Sequence, residues 1–223
     1  MPGPGRVYAD PVRERVVTDA TVITAVRTVA SVSISAVAAW QHSLTLLVVA
    51  LVVHWVGDSL DGWVARVRDC ETRTGALLDI LSDRLCAAAF YIGLVWLEPH
   101  LGPAVFVYLL EFMVIDGFLS MGFLAWPLTS PNHFHVVDRR LWLLNWSHPG
   151  KAVNSGLFAI LLVVTGSLWA GLVVAVALLG FKCWSLARLV RLGMPVPERP
   201  VDDPADEGAD DLDDDLDPVD SVL

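Results

Sequence analysis

Apolar residues run along this chain in six long stretches, at about residues 20–41, 43–67, 74–97, 102–126, 151–168 and 170–191. Each is close to the roughly 20 residues that a helix needs to cross the hydrocarbon of a bilayer. The polar residues between them form short breaks at "WQHS", "RVRDCETRT", "EPHLG" and "GSLWAG", and one longer loop, "PLTSPNHFHVVDRRLWLLNWSHPG". This pattern predicts an all-α, polytopic membrane protein of six transmembrane helices. No internal repeat accompanies it.

Composition supports that reading, and charge refines it. The 223 residues are 55% hydrophobic and include nine Trp, too apolar for an ordinary soluble domain. The net charge of -10 is local: residues 198–223 hold twelve of the twenty-five acids and one of the fifteen bases. That end, rich in Pro, Gly and Asp, predicts a disordered acidic tail over 194–223. Residues 1–18 are polar, without the apolar core of a cleavable signal, and 19–193 form the expected membrane domain. All fifteen bases fall at the N-terminus, around the 2–3 turn, in or beside the 4–5 loop, or toward the end of helix 6 and beyond. The positive-inside rule then places the N-terminus in the cytoplasm. Trp40, Trp126, Trp142 and Trp146 suit interface anchoring. Cys70, Cys86 and Cys183 have no ligand-pair spacing and read as packing residues.

Four carboxylates interrupt the apolar pattern. Asp58 and Asp61 lie three apart near the end of helix 2, and Asp79 and Asp83 four apart near the start of helix 3. Each spacing puts its pair on one helix face, and the short turn makes the helices antiparallel neighbours. One Asp at the centre of a spanning helix costs about 2.5–3.5 kcal/mol. Four at that depth cost on the order of 10 kcal/mol, so compensation is required. Arg66 and Arg84 are nearby and can neutralise two. The other two suit a divalent cation or two, with Mg²⁺ or Mn²⁺ the natural partners of hard carboxylate oxygens and substrate phosphates. An ion-paired helix junction without metal explains the acid spacing equally well. Gly62, Ala65 and Gly75 beside the acids favour the metal reading, since small residues let a phosphorylated group approach the backbone.

Together these residues read D58-x2-D61-G62-x2-A65-R66-x8-G75-x3-D79-x3-D83. The string resembles the signature of the CDP-alcohol phosphotransferase (CDP-alcohol phosphatidyltransferase) family at every specified position. The resemblance implies six-helix membrane enzymes, commonly homodimers, whose site opens to the cytoplasm. They transfer a phosphatidyl group from CDP-diacylglycerol to an alcohol and release CMP, with no nucleic acid involved. Carried over, Asp58, Asp61 and Asp79 become metal ligands with Asp83 at the edge of the site, most simply around two ions. Asp83 also becomes the general base, and Gly62, Ala65, Arg66 and Gly75 the nucleotide wall. The "TVITAVR" entry to helix 1 resembles the family's N-x2-T-x2-R element through Thr24 and Arg27, with Thr21 where Asn is common. Arg27 equally suits a snorkelling interface anchor.

The acceptor alcohol is less legible. "HPGKAVNS" resembles the G-K-x-K-T element of phosphatidylglycerophosphate synthases through Gly150 and Lys151, while Val153 and Asn154 depart from it. This favours glycerol 3-phosphate and leaves inositol phosphate, serine or another polyol open. Lys151, Arg139, Arg140 and Arg188 can form a cationic pocket for an acceptor phosphate. Asp116 and Glu111, ionisable groups within helix 4, are candidates for the polar cavity and for a cross-helix pair. His54 stands one turn before Asp58, whereas His133, His135 and His148 lack a metal-ligand arrangement. Two other readings compete. An intramembrane prenyltransferase with D-x2-D-x3-D would need an acid where Ala65 stands. A divalent-metal transporter would spread its acids along a path, whereas these cluster near one face.

Overall fold

The computed structural model describes residues 7–9 and 15–195, apart from the side chains of His148 and Ser155. All but the first two residues of the expected acidic tail, and most of the N-terminal segment, therefore lie outside the described residues. The fold is all-α, with one isolated bridge pairing Tyr8 and Leu128 among the described residues. Five helical stretches are long and apolar enough to cross a membrane: Asp19–Trp40, Leu44–Val67, Arg73–Leu97, Pro99–Ala125 and Leu168–Leu192. The expected fifth span, 151–168, corresponds to the shorter apolar helix Pro149–Thr165.

Helix ends fall where the sequence supplies caps. Thr18 opens α1 (Asp19–Trp40) with a capping box shared with Thr21. Ser43, Thr72 and Ser167 accept backbone N–H bonds at the starts of α2 (Leu44–Val67), α3 (Arg73–Leu97) and the last helix. Between α2 and α3 the chain reverses through Asp69 in the left-handed region, φ 48°. The inward face of α1 carries Ala20, Thr24, Arg27, Ser31, Ser35 and Ala38, spaced three or four apart. Small side chains there let α1 lie close against α2 and α3, and Ser31 Oγ donates to the Ala50 carbonyl at 3.0 Å.

The fourth stretch is not one regular helix. It runs as α4 (Gly102–Leu110), a π turn (Glu111–Ile115), α5 (Asp116–Met121) and a 3-10 turn (Gly122–Ala125). Five residues of α-helix would set Glu111 and Asp116 about 140° apart. The wider π turn, closed by the Asp116 N–H donating to the Glu111 carbonyl, keeps both buried. The long polar loop that follows contains a 3-10 turn (Pro131–Val136) and α6 (Arg139–Asn145). It is followed by α7 (His148–Lys151), a second π turn (Ala152–Gly156), α8 (Leu157–Thr165) and α9 (Leu168–Leu192).

Asp138 caps α6 through the Arg140 and Leu141 amides and accepts from Arg188 at 2.7 Å. Burial pushes its carboxyl up, and these hydrogen bonds outweigh that effect and hold it below the ordinary value. Its contribution to stability is therefore present above the ordinary Asp pKa and fades as pH falls through the lower folded value.

Two apolar clusters bracket the polar interior. One stacks Tyr108 on Phe158 at 4.2 Å with Tyr91 and Phe90 alongside. The other gathers Phe123, Phe134, Leu141, Trp146 and Leu189 around the long polar loop that contains α6. Outward positions such as Val26, Trp96, Phe106, Val164 and Val173 remain exposed and apolar, as a lipid-facing surface requires.

A buried charge cluster joins three helices. Asp116 on α5 accepts from Arg84 on α3 at 2.8 Å and from Lys182 on α9 at 2.6 Å. Lys182 also donates to Asn145 Oδ1 at 2.9 Å, and Arg84 lies 5.0 Å from the centre of the Phe112 ring. Removing the shared carboxylate leaves two buried cations without it, at a cost of about 3–5 kcal/mol. Asp116→Asn is expected to lower the melting temperature of the detergent-solubilised protein by about 6–20 °C. An unchanged melting temperature would show that the cluster does not hold the bundle together.

Candidate active site

The carboxylates on α2 and α3 meet as the antiparallel geometry predicts, and a base from α1 lies among them. Arg27 Nε donates to Asp61 Oδ2 at 2.7 Å. Its Nη2 donates to Asp83 Oδ1 at 2.9 Å and to Asp79 Oδ1, and lies 3.6 Å from Asp58 Oδ1. One guanidinium thus touches all four acids. Thr24 adds a hydroxyl to Asp61 Oδ2 at 2.7 Å. Arg27 Nη1 faces His54 Nδ1 at 2.9 Å. A guanidinium has no acceptor, so this bond places the imidazole lone pair on Nδ1.

This corrects the expected source of neutralisation. Arg84 is committed to Asp116, and Arg66 is an exposed side chain on the rim of a cavity. The reason is reach: both sit on the helices that carry the acids, whereas Arg27 enters from the facing helix. Gly57 makes that entry possible. A Cβ at this position would lie 2.6 Å from Arg27 Cβ and 2.7 Å from its Cδ.

Arg27 and Asp61 are buried, while Asp58, Asp79 and Asp83 are each about one-third to two-fifths exposed, at 44%, 36% and 31%. Asp58, Asp61 and Asp79 each offer a carboxylate oxygen, all within 4.8 Å of one another. Three hard anionic donors that close fit a small divalent cation, and their remaining lone pairs are compatible with Arg27 nearby.

Two cavities flank the acids and share Asp79. The first, about 90 Å³, is bounded by Asp61, Gly62, Ala65, Arg66 and Gly75, with Glu71, Thr129 and Ser130 also lining it. All four residues expected to form the nucleotide wall thus line one space. The second, about 170 Å³, is lined by His54, Asp58, Asp83, Arg84, Asp116, Lys151 and Lys182, with Asn145 and Asn154. Of the expected acceptor residues, Lys151 and Asp116 face this cavity. Arg139 and Arg140 are exposed at the start of α6, and Arg188 is paired with Asp138; none of the three lines either cavity. Glu111 is buried, and its Oε1 has no hydrogen-bond partner among the described residues, in place of the expected cross-helix pair.

Sequence reasoning missed Lys182 and Asn145 and gave Arg27 too small a part. A signal existed for Lys182: it lies ten residues before the end of α9, inside an apolar run, where a base is a functional candidate rather than a terminal charge. Asn145 carried none, because its polar partner comes from a helix 37 residues away.

No curated protein and no solved structure gives a significant match to the chain. A family model does: the one described as CDP-alcohol phosphatidyltransferase matches residues 17–184. The matched segment holds α1 through most of α9, and with it the four acids, Arg27 and both cavities. On that match, and on eight motif residues gathered at one site, the chain belongs to the CDP-alcohol phosphatidyltransferase family of phospholipid-synthesising transferases.

Proposed function

We infer that the chain moves a phosphatidyl group from CDP-diacylglycerol to a small alcohol, glycerol 3-phosphate first among the candidates, and releases CMP. The observation that carries this reading is the convergence of four acids between two cavities, one walled by the nucleotide motif and one lined with cations. Asp58, Asp61 and Asp79 would hold Mg²⁺ or Mn²⁺, with Asp83 beside them and room in the chemistry for two ions. Bound there, the metal neutralises diphosphate charge and stabilises the departing CMP phosphate.

Gly62, Ala65 and Gly75 leave space for the nucleotide, and Arg66 offers charge at its rim. Asp83, in the second cavity, accepts the proton of the acceptor hydroxyl. The hydroxyl oxygen forms its bond to the lipid-side phosphorus as the bond to the CMP phosphate breaks. Lys151 supports a phosphorylated acceptor at the mouth of that cavity, because a flexible ammonium recognises phosphate as a point charge. The reading includes a site that faces the cytoplasm, which the distribution of bases supports, and a homodimer, which the family resemblance supports; the acidic tail over 194–223 stands outside the chemistry.

The direct test supplies the purified protein with labelled CDP-diacylglycerol, Mg²⁺ or Mn²⁺, and in turn glycerol 3-phosphate, inositol phosphate, inositol, serine and phosphatidylglycerol. Label should enter a new phospholipid with one equivalent of CMP. If CMP is released with none of them, glycerol 3-phosphate and the other four are excluded as acceptors. Asp79→Asn and Asp83→Asn should each abolish transfer in a folded protein; near-normal turnover in both would overturn their roles. Gly57→Ala should cut kcat/KM at least tenfold by displacing Arg27 from the acids. Lys151→Ala should raise the KM for glycerol 3-phosphate about tenfold and leave that for CDP-diacylglycerol unchanged; an equal rise in both would exclude an acceptor role.

A further inference from the structure

The first cavity holds polar groups that the motif does not include. Glu71, in the turn between α2 and α3, has its Oε2 buried with no hydrogen-bond partner. Across the same cavity, Thr129 Oγ1 and Ser130 Oγ are also buried and unpartnered, in residues only 2% and 7% exposed. His133 does not satisfy Glu71: its Nε2 stands 3.9 Å away, beyond hydrogen-bond reach, and is itself unpartnered. Buried polar atoms are nearly always bonded, so three on residues that line one cavity point to a ligand.

The position of these groups is built in. Thr129 N donates to the Val7 carbonyl at 3.1 Å and Ala9 N to the Pro127 carbonyl at 3.0 Å, so residues 7–9 hold residues 127–129 in place through two backbone bonds around the Tyr8–Leu128 bridge. Glu71 immediately precedes Thr72, whose side chain caps α3. Six or seven helical residues separate this turn from Asp61 on one side and Asp79 on the other. At 1.5 Å per residue that is about 10 Å, the length of a nucleoside reaching from a diphosphate at the acids.

We propose that Glu71, with Thr129 and Ser130, reads the base of the nucleotide and selects one that carries an exocyclic amine. This rests on the transfer reading and names the specificity determinant of that same site. A carboxylate only accepts hydrogen bonds, so Glu71 takes the 4-amino group of cytosine, as carboxylates do elsewhere. The two hydroxyls donate to the ring acceptors beside it. Uracil presents a carbonyl where the amine would be, which leaves Glu71 facing a second acceptor. Sites built to hydrogen-bond a group reject analogues lacking it strongly.

The test measures binding of CMP, UMP and the CMP analogue lacking the 4-amino group to the full-length protein in detergent with Mg²⁺. Wild type should prefer CMP over each of the others by about 100-fold or more. Glu71→Gln, whose amide can donate to the uracil carbonyl, should shrink the CMP-to-UMP ratio at least tenfold, partly by improving UMP. An unchanged ratio in a folded Glu71→Gln protein overturns the proposal while the transfer reading stands. If that variant does not fold, the wild-type arm decides: equal affinity for CMP and the amine-free analogue overturns it. Failure of wild type to bind CMP or UMP at all refutes the transfer reading, and this assignment with it.

Discussion

Four carboxylates brought together inside an apolar bundle repel one another, and the fold around them depends on the guanidinium that enters from α1. At an effective dielectric near 20, two like charges 4 Å apart repel by about 4 kcal/mol, and opposite charges attract by as much. Arg27 faces Asp58, Asp61, Asp79 and Asp83 at once, so a single cation offsets several repulsions. A planar fork is suited to this in a way that an ammonium is not, because its nitrogens point to Asp61, to His54 and to the α3 pair separately. Close passage of α1 over α2 follows from the same need, and Gly57 with the small inward face of α1 permits it. Four acids on one cation still leave an excess of negative charge, and this excess makes the site receptive to a dication.

The same constraint is met differently a few residues deeper. Arg84, one position after Asp83, turns to Asp116 instead of joining the acidic group, and Lys182 completes a cluster of two bases on one carboxylate in the lining of the second cavity. The π turn before Asp116 brings that carboxylate into position. Arg84 thus separates two populations of carboxylates on the same cavity: Asp83 beside the excess negative charge, and Asp116 held by two bases. Proton acceptance suits the first, and a fixed polar floor suits the second.

The two cavities give the proposed reaction its direction. Both open onto Asp79, with the glycine-lined space on one side and the cation-lined space on the other. A nucleotide-linked phosphate and an incoming hydroxyl can therefore approach the acids from different walls, as a displacement with separate entering and leaving groups requires.

Helix positions, the acid pairs and their encounter across the α2–α3 turn were readable in the sequence, because each depends on local spacing. Apolar run length sets a span, a three- or four-residue interval sets a face, and a short turn makes neighbours of what it joins. Family membership was readable for the same reason, since the motif lies on two consecutive helices. Which cation answers the acids was not, and Arg66 and Arg84 looked closer along the chain than Arg27. Lys182 meeting Asp116 across 66 residues, and Thr129 lining the same cavity as Glu71, were also beyond reach. Those choices belong to helix packing: a buried charge is satisfied by whatever partner the third dimension brings within about 3 Å, and no interval along the chain encodes that distance.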